Sequence, residues 1–177
     1  MTKKELRAAM RKQTLGMTPA ERAEASRRIF GRAGRLEAFG AARTVGLFCS
    51  LPDEPDTAEA LAQWGAVKRI VVPRVEGDVM WFYEYDPQTL RPGAFGIAEP
   101  GPAARMCGPS EIDLMIVPGT VFTASGVRCG RGRGYYDKYL SQPGVKAVKV
   151  GVCFACQLIG ELPAEPHDVA MDYVITD

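Results

Sequence analysis

Residues 126–140, GVRCGRGRGYYDKYL, crowd three arginines, alternating glycines, paired tyrosines and an aspartate into one short stretch. Arg128, Arg131 and Arg133 supply forked N–H donors that match phosphate or carboxylate, and Gly130, Gly132 and Gly134 let the main chain approach the same anion. Asp137 offers a hard oxygen ligand for a magnesium ion bridging phosphate oxygens. An apolar run, DLMIVPG, precedes the stretch and helix formers follow it, which reads as a strand-to-helix loop whose backbone N–H groups can hold phosphate. Neither common phosphate fingerprint fits, because there is no GxxxxGK[ST] and the GxGxG here is followed by Tyr135. From composition alone, a solvated Arg/Gly turn or an RNA-contacting segment fits as well.

Two further loops carry chemistry. In CSLPDEPDT, Glu54 and Thr57 can hydrogen-bond a polar ligand, while Asp53, Glu54 and Asp56 also read simply as an acidic turn before a helix. In PAEPHDVAMDYVITD, Asp168 follows the sole histidine, His167, and can serve as a second carboxylate for a metal; a lone histidine is more often structural. A serine-hydrolase reading fails for want of a GxSxG turn. Paired-carboxylate glycosidase chemistry stays open but leaves the arginine loop unexplained.

The elements that must position these loops follow from periodicity. KKELRAAMRKQ puts Leu6 and Met10 on one helical face and Lys3, Arg7 and Arg11 on another. Thr18, Pro19 and Glu21 form a capping-box start for a second helix, with Gly40 as its stop. TVGLFC, RIVVPRV, VMWFYEY, DLMIVPG, AVKVGVCF and DYVITD read as strands. Helical patterns interleave with them: DTAEALAQWG, with Asp56 as cap, and GYYDKYLS. The fold class is therefore α/β with a mostly parallel sheet, made mixed by a tight turn within RVEGDVMWF.

A chain of 177 residues with 46% hydrophobic and 24% charged residues and a net charge of +1 reads as a single globular domain, not a duplex-coating protein. The charge is uneven. Residues 1–40 hold ten Lys or Arg against four Glu, a net of +6, and the remainder about −5, which suggests that the amino-terminal segment faces an anion. No apolar run approaches the roughly 18 residues of a membrane helix, and the start lacks the apolar centre of a secretory signal, so a cytoplasmic protein is expected. An Arg-rich transit peptide is the alternative; Glu5, Glu21, Glu24 and the capping signals count against it. Five cysteines, at 49, 107, 129, 153 and 156, lie mostly in apolar runs and read as buried thiols, with CFAC at 153–156 formally matching a redox or half-zinc pattern.

Taken in order, KxxLR at Lys3–Arg7, SLPDEPDT, FGIAEP at 95–100, DLMIVPG, GVRCGRGRGYYDKYL and HDVAMDYVIT resemble the 5-formyltetrahydrofolate cyclo-ligase (methenyltetrahydrofolate synthetase) family across nearly the whole chain. The resemblance implies a Rossmann-like, three-layer fold and cyclisation of 5-formyltetrahydrofolate to 5,10-methenyltetrahydrofolate, driven by ATP with Mg2+. It implies nucleotide contacts at Lys3, Lys4, Arg7 and the run Arg128, Cys129, Gly130, Arg131, Gly132, Arg133, Gly134, Tyr135 and Tyr136. Among these, Arg131, Arg133 and Tyr135 would act in catalysis. Folate contacts would come from Leu51, Glu54, Phe95 and Tyr135, and metal ligands from Asp137 and Asp168. Small molecules are the implied partners, with neither nucleic acid nor membrane, and a monomer is expected. Two departures stand out: Thr123 occupies a place where the family often has an acid, and Cys129 one where leucine is usual. The competing readings are an RNA-binding module and an α/β enzyme acting on another phosphorylated substrate.

Overall fold

The computed structural model describes residues 1–177. Reciprocal capping boxes start the first two helices: Thr2 with Glu5 at α1 (Lys3–Gly16), and Thr18 with Glu21, after which Pro19 opens α2 (Pro19–Ala33). The second helix stops well short of Gly40. The chain turns at Gly34, and a separate short helix, α3 (Glu37–Ala41), returns Phe39 to Trp64 at 4.5 Å between ring centroids. Phe30 meets the same indole edge-on at 5.8 Å, and this aromatic cluster outweighs a straight continuation of the helix.

The remaining elements are β1 (Thr44–Gly46), α4 (Ala58–Gly65), β2 (Arg69–Glu76), β3 (Val79–Glu84), β4 (Arg91–Pro92), β5 (Ala98–Glu99), β6 (Met106–Cys107), β7 (Leu114–Val117), β8 (Val121–Thr123), β9 (Arg128–Cys129), α5 (Tyr135–Leu140), β10 (Val148–Val152), β11 (Leu158–Ile159) and β12 (Tyr173–Ile175). The main sheet has the order β12-β10-β7-β1-β2-β3-β6. Its first five strands are parallel, whereas β3 joins β2 antiparallel and β6 joins β3 antiparallel. The mixed α/β sheet is thus as expected, and each of the six apolar runs contributes one strand. The hairpin between β2 and β3 closes through Glu76 opposite Val79, with Gly77 at φ +63, a conformation L side chains rarely adopt.

Alternate residues of the sheet feed two cores. Ile70, Val72, Leu114 and Ile116 pack with residues of α2, α3 and α4, while Val71, Met115 and Val117 pack with Tyr139 and Leu140 of α5. That arrangement gives three layers. The sequence did not announce a second, three-stranded sheet of order β11-β8-β9. Helix α1 docks there, since Leu6 and Met10 are buried with Val121 and Cys129, and so the basic face of α1 is carried toward the loop that follows β9.

Smaller differences have local causes. Thr57, not Asp56, is the N-cap residue of α4, its hydroxyl engaged by the Ser50 N–H, while the Asp56 carboxylate accepts the Ala58 N–H at 2.9 Å. All five cysteines are free; Cys107, Cys129 and Cys153 are buried, Cys49 is half-buried and Cys156 is exposed. Burial pushes the Cys153 thiol up to about 12 and raises Cys156 as well, which leaves CFAC without a ready thiolate. No helix is long and apolar enough to cross a membrane.

Candidate functional site

A cleft of about 430 Å³ opens beyond the carboxyl ends of the central parallel strands. The segment after β1 contributes Phe48, Cys49, Leu51 and Glu54, and the segment after β7 contributes Pro118 and Gly119. Its lining includes apolar side chains, Val75, Met80, Phe95 and Ile97, and charged ones, Lys3, Arg7, Arg128, Arg131, Arg133, Asp137 and Asp168. Residues spread from position 3 to position 168 therefore meet in one place. Of the site residues expected from sequence, Lys4, Thr57 and Cys129 do not line it: Lys4 is exposed on α1, Thr57 is buried with its hydroxyl engaged by Ser50, and Cys129 is buried beneath α1. Thr123 also lies outside, its hydroxyl accepting the Val127 N–H at 3.1 Å within the turn between β8 and β9.

The glycine–arginine loop is pinned from several directions. Arg7 donates through Nε to the Gly130 carbonyl at 2.7 Å, and Thr120 donates to the Cys129 carbonyl at 2.9 Å. Gly132 at φ +109 and Gly134 at φ +72 take left-handed backbone conformations, which is why glycine suits these two positions. Gly134 also caps the six-residue helix α5, so the short helix presents Tyr135, Tyr136 and Asp137 to the cleft. Tyr135 donates to the Gly77 carbonyl at 3.3 Å, and burial holds the Tyr136 phenol well above its ordinary range.

The three arginines differ in what they are free to do. Arg128 is 4% exposed, donates to the Pro118 carbonyl at 2.9 Å and approaches Asp137 at 3.4 Å, and its Nε has no partner. Arg131 is engaged by carboxylates: NH1 and NH2 reach the two oxygens of Asp53 at 3.1 and 2.6 Å, and Nε reaches Glu54 at 3.1 Å. Arg133 has no carboxylate partner and lies over the Phe95 ring at 5.1 Å. Phe95, 54% exposed, is the one non-glycine residue with positive φ, at +60, and its backbone holds the ring out at the rim.

Acidic groups sit on both sides. Glu54 is 8% exposed; burial is the largest influence on its carboxyl and, with the neighbouring Asp53 charge, keeps it above the ordinary value although Arg131 and the Leu51 N–H pull it down. Asp168 accepts Lys3 Nζ at 2.7 Å and the Glu165 N–H at 2.8 Å; burial opposes the shift, but these donors hold its carboxyl below the usual range. Asp137 accepts the Val169 N–H at 3.1 Å, which ties it to the segment that carries Asp168. Asp137 and Asp168 are hard oxygen donors at the cleft, and Asp137 has one firm hydrogen bond, so its remaining lone pairs fit a magnesium ion. Glu165, His167 and Asp168 also bring their ligating atoms within 4.8 Å of one another. Sequence reasoning passed over Glu165, Glu99 and Cys49 as cleft residues; their only signal was proximity to motifs already singled out.

Over residues 1–177 the chain matches the 5-formyltetrahydrofolate cyclo-ligase family. The chain belongs to that family. A 5-formyltetrahydrofolate cyclo-ligase from Mycolicibacterium smegmatis is 32% identical, with 99% of this chain and 93% of the relative covered. The NMR structure of the Aquifex aeolicus 5,10-methenyltetrahydrofolate synthetase superposes with a TM-score of 0.88 at 32% identity, covering 99% of this chain and 89% of that one. The Mycoplasma pneumoniae 5,10-methenyltetrahydrofolate synthetase shares the fold, with a TM-score of 0.82 at 23% identity and coverage of 100% and 99%. As a cyclo-ligase family member, the chain is an enzyme whose mixed α/β fold is that of its relatives.

Proposed function

We propose that the chain cyclises 5-formyltetrahydrofolate to 5,10-methenyltetrahydrofolate, consuming ATP and requiring Mg2+. The observation that carries this reading is the single cleft in which an apolar wall meets a glycine–arginine loop flanked by two carboxylates. The apolar Phe95 and Leu51, with the Glu54 carboxyl as acceptor, suit a flat heterocycle with N–H donors, and Lys3, Arg7 and Arg133 suit a polyphosphate.

In the reaction, the formyl oxygen attacks the γ-phosphorus and ADP leaves, giving an imidate-like phosphorylated formyl group. The neighbouring folate nitrogen then attacks the formyl carbon, and phosphate departs as the ring closes. Phosphorylation turns a poor leaving oxygen into a good one, so the protein's work is positioning and charge neutralisation. Arg133, free of carboxylates, neutralises charge on the transferring phosphoryl group, and Tyr135 orients the reacting ends. Arg7 and Thr120 fix the loop that carries both. Asp137 and Asp168 would hold the magnesium ion, which supplies charge neutralisation at the phosphate oxygens.

The test is the near-ultraviolet absorbance of the methenyl product, followed with protein, 5-formyltetrahydrofolate, ATP and Mg2+, and with each omitted in turn. A rise requiring all of them is expected. A folded protein that gives no rise overturns the assignment.

A further inference from the structure

The Asp53–Arg131 pair joins two loops that the fold supplies independently. Asp53 belongs to the loop between β1 and α4, and Arg131 to the loop between β9 and α5, so 78 residues separate them. The pairing is a fork: NH2 meets Asp53 Oδ1 at 2.6 Å and NH1 meets Oδ2 at 3.1 Å, while Glu54 Oε1 takes Nε and NH2, each at 3.1 Å. Three of the guanidinium's five N–H groups thus donate to protein carboxylates, and NH2 lies in ion-pair range of Glu54 as well. The Asp53 side chain is 9% exposed, so its charge is largely withdrawn from water, and such a carboxylate has Arg131 as its charged partner or none. Arg131 itself stands between Gly130 and Gly132, so no neighbouring side chain on the loop fixes the direction of its own. Its orientation therefore comes from the carboxylates that hold it.

We propose that Asp53 is a positioning residue for the ligation, acting through Arg131 as a clasp that fixes the glycine–arginine loop against the wall carrying Leu51 and Glu54. This deepens the proposed function and rests on it: the formyl oxygen and the γ-phosphorus belong to two substrates held by these two loops. A loop that splays separates the reacting atoms without abolishing either binding site, and misplacement of about 1 Å costs about 100-fold in rate. Arg131 is then a strut between the substrates, and Arg133 is the arginine left to meet phosphate.

The experiment compares Asp53→Asn, Asp53→Glu, Arg131→Lys and the double variant Asp53→Asn with Arg131→Lys in the full chain. The expected result is that Asp53→Asn lowers kcat by about tenfold or more while the melting temperature and the affinity for each substrate measured alone stay near wild type. Asp53→Glu recovers part of the loss, and the double variant is no worse than its poorer single parent, because both act on one contact. An unchanged kcat in Asp53→Asn, or losses that multiply in the double variant, overturns the clasp. Hydrogen exchange over residues 130–134 reads the same contact without turnover: faster exchange in Asp53→Asn is expected, and unchanged exchange overturns the proposal. Should Asp53→Asn fail to fold, Arg131→Lys carries the exchange test. Wild-type protein that makes no methenyl product sinks the proposed reaction, whereas wild-type turnover with an indifferent Asp53→Asn sinks the clasp alone.

Discussion

Two clusters of opposite charges flank the cleft, and they are built differently. On one side Arg131 meets Asp53 and Glu54; on the other Lys3 meets Glu165 and Asp168. Each joins segments remote in sequence. The first uses a planar fork against carboxylates whose side chains are 9% and 7% exposed, while the second uses a point charge and includes Glu165, whose side chain is 53% exposed. A planar fork on two buried carboxylates fixes distance and angle, whereas a point charge shared with the exposed Glu165 exchanges that partner at little cost, even though the Lys3 side chain, 17% exposed, is less open to water than Arg131 at 37%. The locked cluster thus lies on the loops proposed to register the two substrates, and the exchangeable one beside the residues proposed to meet the nucleotide and its metal.

The largest expected effect breaks the exchangeable side. Asp137 is tied through the Val169 N–H to the segment that carries Asp168, and Asp137→Asn removes the charge proposed to hold magnesium. Turnover should fall by about 10²–10³-fold, of the order seen when one preorganised charge-stabilising group is lost. Initial rates across a magnesium titration check it, and normal activity at limiting magnesium removes Asp137 from the metal site. The next effect separates the arginines. Arg133 has no carboxylate partner, so Arg133→Ala should raise the KM for ATP about tenfold, the loss of about 1.4 kcal/mol expected for a charge-assisted contact, with little change in melting temperature. Unchanged ATP dependence would remove Arg133 from the phosphate site.

The contrast between the clusters also marks how far the sequence could be read. All six strands of the main sheet that carry apolar runs were legible, because runs rich in β-branched and aromatic residues between turn signals suit a strand better than a loop. The break of α2 at Gly34 was not, since it depends on Phe39 finding Trp64, a partner from another helix. The small sheet was hidden because β8, β9 and β11 are two or three residues long and show no period. At the site, motif spacing identified the loops, and α1's basic face pointed to Lys3 and Arg7. It could not say that Arg131 is engaged and Arg133 free, because the deciding residue, Asp53, looked like any acid in a turn.

A smaller effect sharpens the exchangeable side. Lys3→Met should raise the KM for ATP about fivefold, corresponding to about 1 kcal/mol, because the lysine is a partly exposed point charge. The salt dependence of ATP binding should weaken with it, as expected when one screened charge is removed. A KM and salt slope equal to wild type would make Lys3 a purely structural tether for Asp168.

The smallest effect is a slope, not an amplitude, and it contrasts the two ends of β1. Beyond the strand, burial above all, with the Asp53 charge, keeps Glu54 above its ordinary 4.5. Before it, Asp113 accepts the N–H groups of Arg43 and Thr44, each at 2.9 Å, and these hold its carboxyl below its ordinary 3.8 although burial opposes them. A raised carboxyl binds its proton more tightly folded than unfolded, so its contribution to stability is lost as pH climbs from about 4.5 through the raised value. A lowered carboxyl does the reverse: its contribution is present above about 3.8 and lost as pH falls through the lowered value. Urea midpoints measured across this acidic range should therefore lose a downward slope in Glu54→Gln and an upward slope in Asp113→Asn. Slopes that change in the same direction would show that Glu54 is held as a paired carboxylate, with Arg131 outweighing its burial.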